Sequence, residues 1–124
     1  MSFNWSDYLT LAQELAGKAT VSSPEAKFRS AISRAYYGAY CSTRNYLIRE
    51  GYEFPKLGTA HKQVRKMLRK KGDDISKQIA SNLARLWNDR INADYEDQFP
   101  EALDKKTAFD LSLAEKIMND ITKT

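Results

Sequence analysis

The sequence predicts an all-α protein, an antiparallel up-down four-helix bundle with one additional helix. Three observations carry that prediction. Only 5 glycines and 3 prolines interrupt 124 residues, while leucine, alanine, lysine and arginine are plentiful, a balance that favours helix. Apolar residues recur at three- and four-residue steps in successive segments, the period that gives a helix one apolar face. Helix start and stop signals separate those segments at short spacing, as neighbouring antiparallel helices require.

Trp5, Tyr8, Leu9, Ala12, Leu15 and Ala16 define the first helix, which Gly17 and V-S-S-P end. Ser23-Pro24-Glu25 starts the second, with serine at the cap, proline in the first turn and an acid near the positive end of the dipole. That helix runs to about Glu50 along a stripe from Phe28 through Ile32, Tyr36 and Tyr40 to Leu47, and Gly38 permits a close helix approach. Gly51 closes it, and G-Y-E-F-P-K-L-G is a loop. A third helix runs from near Thr59 to Gly72, and Asp73-Asp74 opens a fourth that extends from about Ile75 into the mid-90s. A break bracketed by Pro100 and Asp104 precedes a fifth, carried by Phe109, Leu111, Ala114, Ile117 and Ile121.

Length and composition bound the rest. Residues 1–124 form one domain, large enough for a single core and too short for two. A lone Cys41 excludes an intramolecular disulfide and a cysteine zinc cluster, and one histidine among scattered carboxylates makes no metal ligand set. Neither a Gly-rich phosphate loop nor a nucleophile motif is present, so no cofactor is expected. No apolar run reaches membrane-spanning length, and M-S-F-N-W-S-D-Y has no basic segment leading into an apolar one. A cytoplasmic protein with no membrane partner is the expectation.

The chemistry concentrates in three places. Ile79, Leu83, Leu86 and Arg90 share a narrow helical arc, with Asp94 beside them as an i,i+4 partner. A guanidinium there is either an end-of-helix ion pair, where the fourth helix leaves the core, or a cation presented to phosphate in a polar pocket. The third helix places Lys62, Arg65, Lys66, Arg69 and Lys70 on a continuous basic stripe, either a solvated face or one that follows a nucleic-acid backbone. His61, the only histidine, stands in that helix's first turn, as a capping or packing residue or a catalytic one. Along a bundle at about 1.5 Å per residue, Arg90 falls several ångströms beyond it. Tyr36 and Tyr40 belong to the packed stripe, whereas Arg34, Tyr37, Cys41 and Arg44 lie on another face, suited to a dimer contact or a ligand.

F-R-S-A-I-S-R-A-Y-Y-G-A-Y, G-T-A-H-K-Q-V and L-A-R-L-W-N-D-R-I-N-A-D-Y-E, in that order, together resemble the HEPN domain (higher eukaryotes and prokaryotes nucleotide-binding). The resemblance implies a four- or five-helix bundle, usually a homodimer. Many such proteins are metal-independent endoribonucleases, often toxins of prokaryotic toxin–antitoxin pairs whose partner is a small nucleotidyltransferase. The family's active-site arginine is followed four to six residues later by a histidine. Arg90 matches that arginine, but Asp94, Tyr95 and Glu96 stand where the histidine belongs. Cleavage at the ribose 2′-OH needs a proton acceptor, a donor and a cation. Arg90 supplies the cation, Asp94 pairs with it, and a tyrosine such as Tyr95 is a reluctant base.

The expectation is therefore an RNA- or nucleotide-phosphate-binding component of a toxin–antitoxin or defence-type system, with weak or absent ribonuclease activity. Its alternatives are a non-catalytic module that dimerises and engages a nucleotidyltransferase, and an active metal-independent endoribonuclease using Arg90 with His61 or Tyr95.

Overall fold

The computed structural model describes residues 3–56 and 58–124. Met1 and Ser2 of the opening stretch and Leu57 of the loop before the third helix lie outside the described residues. Among the described residues there are five helices, α1 (Ser6–Gly17), α2 (Pro24–Arg49), α3 (Ala60–Lys71), α4 (Asp74–Tyr95) and α5 (Leu103–Asp120), followed by a 3₁₀ turn at Ile121–Lys123. Ser23 caps α2, its hydroxyl accepting from the Ala26 amide at 3.1 Å, and Asp73 caps α4 through the Ser76 amide at 2.9 Å. Gly72, at φ 83°, ends α3 in the left-handed conformation that glycine adopts without strain. With Asp73 the next cap, α3 and α4 fold back on each other as a tight antiparallel hairpin.

α2 is the central helix and packs against α1, α4 and α5, whereas α3 rests chiefly on α4. Tyr36, Ile32 and Leu47 of α2, Ile79, Leu83 and Leu86 of α4 and Ile117 of α5 are all fully buried. Each such side chain contributes roughly 1.5–3 kcal/mol by leaving water. Gly38 lies where α1 crosses α2: a Cβ there would come within 3.1 Å of the Leu9 backbone nitrogen and 3.3 Å of the Trp5 carbonyl. The crossing brings Trp5 to the same region of α2 as Tyr40 and Arg44.

α4 and α5 meet over a buried acidic pair. Asp110 is fully buried and Asp89 is 5% exposed, and among the described residues no N–H or hydroxyl group donates to either oxygen of Asp110. Lys106 stands 3.4 Å from Asp89 Oδ2 and 3.4 Å from Glu101 Oε2. Burial, reinforced by Asp89, pushes the Asp110 carboxyl up to about 9, so at neutral pH it keeps a proton that it can share with Asp89.

Candidate functional site

α2, the start of α3 and the end of α4 converge on an aromatic box around His61. Tyr36 and Tyr40, one turn apart on α2, stack on each other with centroids 5.7 Å apart. The imidazole stacks on Tyr40 at 4.1 Å and lies tilted against Trp87 at 4.5 Å. Its Nδ1 is 2.6 Å from the Tyr36 hydroxyl.

Arg90 enters the same box from α4. Its guanidinium carbon lies 5.1 Å from the Tyr37 ring centroid, 5.3 Å from Trp87 and 5.5 Å from Tyr95. Nε donates to Asp94 Oδ2 at 2.8 Å, and among the described residues nothing pairs with the two terminal nitrogens. α4 does not leave the core here, contrary to that sequence reading. Asp89 and Ala93 on either side are buried, and the Arg90 side chain itself is only 12% exposed. Helical side chains lean toward the N-terminus, so Arg90 reaches back over Trp87, the ring against which His61 also packs.

The sequence gives no local sign of what holds this helix end. α4 has no basic residue in its last turn, so its final carbonyls need a donor from elsewhere. Arg29 of α2 supplies it: Nη1 donates to the carbonyls of Ala93 at 3.0 Å and Glu96 at 2.6 Å, and Nη2 to Asp97 at 3.2 Å. Ser33 Oγ donates to Asp94 Oδ2 at 3.2 Å. Arg29 and Ser33 are thus positioning residues for the Arg90–Tyr95 segment. Arg29→Met is expected to cost about 1.5–3 kcal/mol, the scale of hydrogen bonds to a charged group. Amide exchange should speed up most at residues 92–97; uniform acceleration across the chain would contradict a local role.

Burial is the largest influence on His61, and Arg90, Arg65 and Arg44 add to it. Together they push the imidazole down to about 4, so it is neutral at pH 7. Burial also raises the Tyr36 hydroxyl well above its ordinary value, so it stays protonated. When that hydroxyl donates to Nδ1, the ring hydrogen sits on Nε2 and makes it a donor. The single histidine makes this directly measurable. Its NMR titration is expected near pH 4 in the free protein and higher in Arg90→Met; a midpoint near the ordinary 6.5 would refute the enclosed site.

The contacts between F-R-S-A-I-S-R and R-I-N-A-D-Y explain why both stretches occur in one bundle, and a family profile settles which bundle it is. The HEPN domain profile matches residues 5–123, nearly the whole chain. The chain belongs to the HEPN domain family. Neither a curated protein nor a solved structure matches it. HEPN membership supports a nucleotide- or RNA-related role. No helix among the described residues is long and apolar enough to cross a membrane.

The HEPN bundle divides the predicted basic stripe. Lys62, Lys66, Arg69 and Lys70 are exposed on α3. Arg65 instead turns toward the box, its guanidinium carbon 5.9 Å from the Trp87 centroid and its Nη1 buried, with no hydrogen-bond partner among the described residues. Tyr95, 70% exposed, stands at the outer rim. Tyr36 and Tyr40 are buried, as their stripe on α2 requires. Cys41, read on the face of α2 suited to a dimer contact or a ligand, is only 4% exposed and packs in the core, because α2 is covered on several sides rather than along one stripe. Arg44 extends over Trp5 and Tyr40, 5.8 Å from each ring centroid.

Proposed function

We propose that this HEPN domain binds RNA, or a nucleotide, through phosphate at Arg90, with ribonuclease activity weak or absent. The observation that carries the reading is the placement of three guanidinium groups around one aromatic box, Arg44 over Tyr40 and Arg65 and Arg90 over Trp87, the two rings that pack on His61, with the terminal nitrogens of Arg90 uncommitted among the described residues. Guanidinium forks suit phosphate oxygens, and a partly buried site screens that attraction less than water does.

The same geometry argues for feeble cleavage. Asp94 is committed to Arg90 and Ser33. His61, at about 4, binds a proton weakly, and its Nδ1 already faces the Tyr36 hydroxyl, which makes it a poor base for the ribose 2′-OH at neutral pH. The wider setting is proposed from the family resemblance. The protein is a cytoplasmic component of a prokaryotic toxin–antitoxin or defence-type system, it works as a homodimer, and a small nucleotidyltransferase is its partner.

The test is binding of single-stranded RNA between about 50 and 200 mM salt, where phosphate contacts lose affinity steeply, with RNA integrity scored in EDTA. Salt-sensitive binding with intact RNA supports the reading. Salt-indifferent binding overturns it, as does EDTA-resistant cleavage that His61→Ala abolishes, which would make the protein an active nuclease.

A further inference from the structure

A pocket of about 590 Å³ opens beside the aromatic box, on the side of α1. Trp5, Tyr37, Tyr40, Arg44, Asn45 and His61 line it, so it shares Tyr37 and His61 with the Arg90 site. Its size falls within the range of small-ligand sites, roughly 300–1,000 Å³. Three features define what fits. Trp5, just before α1, and Tyr37 and Tyr40 of α2 contribute aromatic surface to the lining, which favours a flat ligand. Arg44 and Lys56 line it and, among the described residues, no carboxylate does, which favours a negatively charged ligand. Asn45 Oδ1 accepts from Arg44 Nε at 3.1 Å, which steadies the guanidinium beside Tyr40 and leaves the Asn45 amide hydrogens for polar edges.

We propose that this pocket is a nucleobase subsite: it takes the base of a nucleotide, stacked on its aromatic lining and read by Arg44 and Asn45. The proposal rests on the reading that Arg90 holds phosphate, because the shared Tyr37 and His61 place the pocket one wall away from that guanidinium. A single nucleotide unit would then engage both. An apolar ligand of the same size would leave Arg44 facing it without an anionic partner, which disfavours that class. The base can come from an RNA strand or from a free nucleotide.

The experiment compares the four nucleoside 5′-monophosphates with ribose 5-phosphate, which keeps the phosphate and lacks the base, by calorimetry on the full chain. At least one monophosphate is expected to bind about tenfold or more tighter than ribose 5-phosphate, the scale of one base–aromatic stack. That gap should vanish in Trp5→Ala, which removes a wall. It should also vanish in Ile48→Trp, which fills the mouth from a lining position already 47% exposed and so spares the core. A strand with one abasic position identifies the source: an affinity drop assigns the base to RNA, and no drop assigns it to a free nucleotide. Equal binding of monophosphate and ribose 5-phosphate, or a gap that survives Ile48→Trp, overturns the subsite. Arg90→Met separates the two readings. If it weakens RNA binding while the gap is absent, only the pocket fails; if it leaves RNA binding unchanged while the gap persists, only the phosphate reading fails.

Discussion

Arg90→Met is expected to weaken binding of single-stranded RNA by about tenfold to a hundredfold, the range set by losing a charge-assisted contact worth roughly 1.5–3 kcal/mol. Methionine keeps an unbranched apolar stem against Tyr37 and Trp87 and removes only the fork, so the fold should persist and circular dichroism can check it. The logarithmic salt slope should fall by about one phosphate's share. Part of the loss comes from Asp94, which stands 2.8 Å from Nε in the native pair and is left as an unpaired anion beside the site. Adding Asp94→Asn to Arg90→Met should therefore recover some affinity without restoring the slope. Replacing exposed Lys66 or Lys70 instead should weaken binding only a few-fold, because a solvated lysine is a screened point charge without the box around it. Equal losses at Arg90 and Lys70 would mean that RNA follows the whole basic face and that the aromatic site has no special part.

The helices were legible because the signals that start and stop them are local. Ser23-Pro24 and Gly72-Asp73 act within four residues of themselves, and the structure uses both as caps. Arg90 stood out because a charge on the arc of Leu83 and Leu86 is a local contradiction, and His61 because it has no rival. What the sequence does not display is any interaction that spans the bundle. Arg29 reaches carbonyls more than sixty positions away, and nothing near Arg29 marks that task. Arg65 looks like its neighbours on a helical wheel, yet it bends toward Trp87 while Lys62 and Lys66 stay in solvent. A wheel gives the angle of a Cβ and not the reach of a long side chain. Asp89 and Asp110 look like ordinary helix-surface acids until α5 closes over α4.

That acidic pair leads to the second large effect, on stability. Asp110 holds its proton up to about 9 in the fold, whereas an unfolded aspartate releases it near 3.9. Between those values the folded chain binds one proton more, so stability falls as pH rises, by up to ~1.4 kcal/mol per pH unit. His61 acts in the opposite sense. Its folded value is about 4, while an unfolded imidazole titrates near 6.5. Its contribution therefore grows as pH rises through that interval and is lost on acidification, with a slope reduced by whatever solvent reaches the ring. The two slopes largely cancel from about pH 4 to 6.5. Above that, Asp110 acts alone, and stability should decline toward its own value of about 9. Asp110→Asn removes the declining limb, because an amide needs no proton and can donate to Asp89. The variant is expected to gain on the order of 1–2 kcal/mol at pH 8, while at pH 5 the native protein should equal or exceed it. Urea melts at pH 5, 6.5 and 8 give the comparison. Parallel curves for the two proteins would show that the carboxyl is ionised inside the fold, with Lys106 rather than a shared proton balancing the pair.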